Sequence, residues 1–252
     1  MSESQTGSHS DALSGTLAHF KPGIVSLQWI GNLCAILLAF AWLQIPDSHA
    51  WQFILSMLFG ALIVVGFLWL HATTYRRMYR RAAPVALPVQ VLVLAVCVTL
   101  WVALSRPIGA GRDAAGLFAG YANSQLSPHL RSFFSFARLV RWQDHLYDLA
   151  QLLFAALFIP VAMEAVSSGV HIVTFKRAGR VYLHWSYWIV AVVSGIVGMQ
   201  VTAALVGWTP GRGIVWESIS VLARVGAAYT FDILLWCLVL ALTAFYLDEA
   251  RS

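Results

Sequence analysis

Ionisable side chains interrupt two of the long apolar stretches in this 252-residue chain, and they define the chemistry open to it. Asp232 stands near the middle of the last apolar run, Glu164 toward the inner end of the fourth, and Asp148 and Arg224 nearer the openings of the same two runs. An ionisable group at bilayer depth costs at least about 2.5–3.5 kcal/mol on insertion scales, so such groups are rare and mark ion or solute sites or structural pairs. Asp232 follows Tyr229-Thr230-Phe231, and Glu164 lies between Pro160 and the polar positions Ser167, Ser168 and His171. Neither has an obvious cationic partner at its own depth. Each carboxyl is therefore either protonated and bonded to nearby backbone, or part of a proton or cation site in a polar cavity. Asp148 and Arg224 read differently. Counted from Trp142 and Trp216, which open their stretches, they fall at nearly the same depth at about 1.5 Å per residue. The expectation is an ion pair that fixes the register of two neighbouring helices.

Histidine supplies the second constellation. His71, His171 and His184 fall near one end of their apolar stretches, and His145 falls near the other. Imidazole is the usual axial ligand of b-type haem and a frequent metal ligand. The segment Arg180-Val181-Tyr182-Leu183-His184-Trp185, followed by Ser194-Gly195, resembles the Arg…His-Trp…(Thr/Ser)-Gly opening of a haem-ligating helix in bacterial membrane cytochromes b. The resemblance covers residues 180–195. It carries one extra residue between Arg and His, and it stands in the fifth apolar stretch where that family has it in the first. It implies His184 as an axial ligand of haem b, with His71 or His171 as the second.

The elements that must hold these groups follow from composition. The chain is 60% hydrophobic and only 11% charged, with a mean hydropathy of +0.74. Soluble domains run at about 45–50% apolar and about 25% charged. A water-soluble globule, a nucleic-acid-binding domain and a disordered chain are excluded, and the bilayer is the first partner. A spanning helix needs about 20 apolar residues, and six stretches qualify, at 24–45, 51–72, 84–105, 146–170, 184–207 and 219–246. The fold class is all-α, a polytopic membrane protein of six transmembrane helices arranged as three hairpins. Residues 1–23 read as a flexible tail without a signal-peptide pattern, 24–247 as the transmembrane domain, 106–145 as a long outer connector and 248–252 as a second tail.

The formal charge of +5 resides largely in connectors. Arg76, Arg77, Arg80 and Arg81 follow the second stretch, and Lys176, Arg177 and Arg180 follow the fourth, whereas the short turns opposite carry only Arg212. The positive-inside rule then puts both termini in the cytoplasm and the protein in the inner (plasma) membrane. Arg106, Arg112, Arg131, Arg138 and Arg141 lie in the long connector, which can translocate with less regard for charge. Within it, Leu130, Phe133, Phe134, Ala137 and Val140 recur with helical period opposite Arg131, Ser132, Ser135 and Arg138, the pattern of one interfacial amphipathic helix. Trp42, Trp51, Trp101, Trp142, Trp208 and Trp216 fall at outer span ends, and Trp69, Trp185 and Trp188 at inner ends, as aromatic belts do. Trp51-Gln52, Trp142-Gln143 and Trp216-Glu217 each precede an even-numbered span, which hints at a repeated hairpin unit. Cys34, Cys97 and Cys237 are scattered singly, so no disulfide framework is expected.

No HExxH, GxSG or P-loop signature is present, so nothing in the sequence argues for an enzyme. Three functions stay open. One is a solute- or ion-handling bundle with Glu164 and Asp232 in a polar cavity. Another is a non-catalytic subunit or scaffold that docks a membrane partner or a second copy of itself. The third is a b-type cytochrome. The cytochrome class predicts a Soret band in the absorption spectrum of the purified protein, and the other two predict none.

Overall fold

The computed structural model describes residues 14–46, 48–78, 86–208 and 213–250, and among these the chain is helical with no strand. A short helix α1 (14–19) leads into α2 (Pro22–Trp42), α3 (Ala50–Met78), α4 (Leu87–Gln125), α5 (Pro128–Phe133), α6 (Phe136–Ser168), α7 (Ile172–Val181), α8 (Trp185–Gly207) and α9 (Ile214–Glu249). Proline sits in the first turn of α2, α4 and α5, where its missing N–H would have no intrahelical acceptor in any case. Among the described residues, α2, α3, α4, α6, α8 and α9 are each long and apolar enough to cross a bilayer. Their apolar side chains face outward: Leu58, Leu62 and Leu92 are 64%, 65% and 65% exposed. Such a surface is stable against lipid tails and unstable against water. The chain is an integral membrane helical bundle.

The helices close into a ring. α2 packs along α3, α4 along α6 and α8 along α9, while α3 also touches α4, α6 touches α8 and α9 touches α2. α3, α6 and α9 also touch one another, and α6 and α9 are the most buried of the six long helices. Small residues let the helices approach, as expected where lipid offers no hydrophobic drive for association. Gly31 of α2 lies under Leu70 of α3, where an added Cβ would stand 2.6 Å from both methyl carbons.

One end of the ring is tightly packed. Met78, Met163, Val166, Tyr187, Leu240 and Leu247 are all at most 1% exposed and come from the ends of α3, α6 and α9 and the start of α8. The same end carries Arg76, Arg77, Lys176, Arg177 and Arg180, and we call it the basic end; Arg80, Arg81 and Arg212 lie outside the described residues. α7 crosses it against α6 and α9, burying Thr174, Ala178 and Val181 and exposing Phe175 and Lys176. Gly169, at a φ of +83°, turns the chain out of α6 toward α7. The Thr174 hydroxyl then donates to Gly169 O at 2.8 Å and accepts from the His171 N–H at 3.3 Å.

Three sequence expectations change. Of the tail expected over 1–23, residues 14–19 are helical and pinned to α9: His19 Nε2 lies 3.0 Å from Asp248 Oδ2, and its Nδ1 lies 2.9 Å from Gly15 O. Residues 1–13 lie outside the described residues. The connector expected over 106–145 is mostly helix, because α4 continues through Pro107 to Gln125 and α6 begins at Phe136. Gly111 and Gly120, with the fully buried Ala119, let this extension lie close against Tyr147 and Phe136 of α6. The single amphipathic helix expected over 130–140 is broken at Phe134 and Ser135 into the end of α5 and the start of α6. There Asn123 Nδ2 donates to Phe134 O at 2.8 Å, and Arg131 donates to Ser124 O and Leu126 O, satisfying carbonyls left free at the end of α4.

The close approach of α2 to α3 gives a test. Gly31→Val forces side-chain atoms into Leu70 and should cost about 1–3 kcal/mol, as overpacking does. Gly66→Val, at a position with nothing within 4 Å of an added Cβ, should leave the unfolding temperature in detergent close to that of the parent.

Candidate functional site: a cleft around Asp232

Asp232 projects from the middle of α9 onto one face of α8. Gly198 and Thr202 are one helical turn apart on that face. Thr202 Oγ1 donates to Asp232 Oδ2 at 2.9 Å, and Oδ1 lies over Gly198, where a Cβ would stand 2.9 Å away. Glycine makes room for the carboxylate and threonine holds it. At about 1.5 Å per residue, Thr202 lies roughly 9 Å along α8 from Trp208, well inside an apolar helix. The sequence expectation of a buried carboxylate is corrected here, since Asp232 is exposed. Among the described residues it has no ion-pair partner.

The carboxylate opens onto a cleft of about 660 Å³ between α6, α8 and α9. Leu152, Ile159, Met199, Leu235, Trp236 and Val239 form most of its wall, and its side-chain oxygens are those of Ser194, Thr202 and Asp232. Ser194, Gly198 and Thr202 recur every fourth position, a small and polar stripe visible in the sequence but overlooked beside the charged residues. Trp236 also borders a second cavity of about 230 Å³, reached by Tyr75, Cys97, Trp101 and Phe158 from α3, α4 and α6. Trp101, expected in an outer belt, lines this second space. Its indole N–H and that of Trp236 are buried with no acceptor among the described residues.

Glu164 sits elsewhere. It is fully buried near the end of α6, where Arg177 Nη1 lies 3.1 Å from Oε1 and Ser168 Oγ donates to the same oxygen at 3.1 Å. The turn through Gly169 folds α7 back and brings Arg177 onto Glu164, a partner invisible in linear sequence. Glu164 and Asp232 therefore do not share a cavity. Close by, between α7 and α8, the Tyr182 hydroxyl donates to Leu157 O. Burial raises the pKa of that phenol above its ordinary value and keeps it a neutral donor.

The expected Asp148–Arg224 pair does not form. Asp148 Oδ1 accepts from Arg112 Nη1 at 3.0 Å, and Arg112 Nε also meets Asp144 Oδ1 at 3.1 Å. Continuing α4 past Pro107 carries Arg112 alongside α6, so the nearer cation takes the carboxylate. Arg224 instead donates to Leu205 O at 3.1 Å and Ser220 O at 3.1 Å, with its guanidinium 5.5 Å from the Trp208 ring centroid. It satisfies carbonyls at the C-terminus of α8, where the helix dipole favours a cation.

His71 and His184 are also kept apart. His71 is buried among Phe67, Tyr75 and Trp236, with ring centroids 4.4, 6.4 and 6.0 Å away. His184 caps α8 and stacks on Tyr246 at 4.1 Å. Trp236 and Tyr246 are separated by about 15 Å along α9. Two axial nitrogens on one iron stand only about 4 Å apart, so His71 and His184 are not offered to a single haem. His171 is exposed at the start of α7, where its backbone serves the turn. Among the described residues no group of three His, Cys, Asp or Glu side chains is placed to hold a metal ion. Comparison of the chain with protein-family models, curated proteins and solved structures gives no match.

Breaking a buried ion pair from one side costs about 3–5 kcal/mol, because the remaining charge is left in a poor environment. Arg177→Met should lower stability by an amount of that order. Adding Glu164→Gln to the same chain should return part of the loss, as read from thermal unfolding of the two variants in detergent.

Proposed function

We propose that this protein is a solute- or ion-handling membrane protein whose binding site is the cleft between α6, α8 and α9, with Asp232 as its charged group. One observation carries the reading: an exposed carboxylate opens onto an apolar cleft inside the helices and, among the described residues, is held by Thr202 and has no ion-pair partner. An ionisable side chain at this depth that served packing alone would be expected to carry a partner, as Glu164 and Asp148 do. The cleft volume falls in the range of about 300–1,000 Å³ found for small-molecule sites. Glu164, tied to Arg177, acts structurally by holding α7 across the basic end. By the positive-inside rule that end faces the cytoplasm of a cell whose inner membrane holds the protein, and both chain ends lie on that side.

A ligand at a hundred times its Kd adds about 2.7 kcal/mol to the stability of the protein it binds. In a panel of small solutes and ions screened by thermal unfolding in detergent, at least one should stabilise the parent chain. Asp232→Asn should abolish that gain while unfolding at a similar temperature in the absence of solute. The reading fails if every stabilising compound protects Asp232→Asn as well as the parent, or if none protects either.

A further inference from the structure

We infer that the occupant of the Asp232 cleft is an apolar organic monocation. This rests on the cleft being the binding site, and it adds the class of ligand. Charge comes first. The cleft offers one carboxylate and, among the described residues, no basic side chain lines it, so an occupant bearing one positive charge leaves the complex neutral. Neutrality matters here because an uncompensated charge in a low-dielectric space costs several kcal/mol.

Coordination chemistry separates the candidate cations. A bare calcium ion takes about 6–8 oxygens and magnesium needs a near-ideal octahedron. Among the described residues, the side-chain oxygens lining the cleft are those of Asp232, Thr202 and Ser194, too few for either shell. A metal ion would therefore have to keep most of its water in a space walled by Leu152, Ile159, Met199, Leu235 and Val239. An organic cation reverses that mismatch, since its apolar body gains by leaving water while its charge meets the carboxylate. Trp236 adds an indole to the wall, and indole is the best aromatic partner for a cation. Access is open from the lipid side: Met199 and Val206, on the cleft lining, are 41% and 53% exposed.

Tetraphenylphosphonium and tetraphenylborate have nearly the same shape and opposite charge, and tetramethylammonium has the charge without the apolar body. The full chain in nanodiscs of zwitterionic lipid, with empty nanodiscs as the blank, should bind tetraphenylphosphonium saturably in equilibrium dialysis. Asp232→Asn should weaken that binding at least about tenfold, the scale of losing one member of a desolvated charge pair. Asp232→Glu, which keeps the charge, should retain most of it, and Thr202→Val should fall between. Tetramethylammonium should fail to compete. If tetraphenylborate binds as tightly with the same dependence on Asp232, or tetramethylammonium competes equally well, the cleft remains a site and the proposed ligand class is wrong. If none of the three probes binds in a way that Asp232 controls, while Asp232→Glu and the parent unfold at the same temperature, the class falls; failure of the solute panel as well removes the cleft itself.

Discussion

A charge carried out of water into hydrocarbon must be given a substitute for the water it loses, and the ionisable groups inside these helices show how differently one chain can supply it. Glu164 receives a guanidinium and a hydroxyl. Asp148 receives Arg112 at the root of the α4 extension. Arg224 receives backbone carbonyls at the end of α8 and the face of Trp208. Each solution also joins two helices. Asp232 receives, among the described residues, a single neutral donor. That asymmetry separates groups that hold the fold from the one whose surroundings are incomplete.

The bundle is correspondingly uneven along its axis. At the basic end, α1, α7 and the last turns of α3, α6 and α9 interlock around side chains with no exposure. Toward the opposite end, the start of α9 turns apolar side chains outward: Ile214, Val215 and Leu222 are 84%, 71% and 76% exposed. Local stability follows the density of buried contacts. The cleft at Asp232 lies between the packed end and this lipid-facing start of α9.

Long apolar runs made the membrane class and the six helices readable from sequence, because nothing but lipid accommodates them. The positions of the ends were not readable where tertiary contacts decide them. Arg106-Pro107 looks like a terminus, yet Gly111, Ala119 and Gly120 let α4 continue along α6, and packing outweighs one lost backbone bond. That extension supplies Arg112 as the partner of Asp148, while Arg224 is taken up by carbonyls of α8 and α9. Glu164 and Asp232 were identifiable as unusual from residue type alone. Their different environments were not, since Arg177 arrives through a reversal at Gly169 and the Asp232 cradle comes from another helix altogether. His184 stood in a motif-like segment, but the structure sets it on Tyr246 and His71 against Trp236, on separate rings of α9.

The contact between His19 and Asp248 has a topological consequence. It joins α1 to the close of α9, and Gly15 lies against the Phe245 ring at the same corner. With the ring of helices closed by the packing of α9 on α2, the beginning and the end of the described chain are spatial neighbours. The order in which the helical pairs are strung together is thus not imposed by their arrangement in space. A short peptide joining residues 14 and 250, with a new opening in the 79–85 connector, would leave every helix–helix contact intact and transfer the first pair to the far end of the gene.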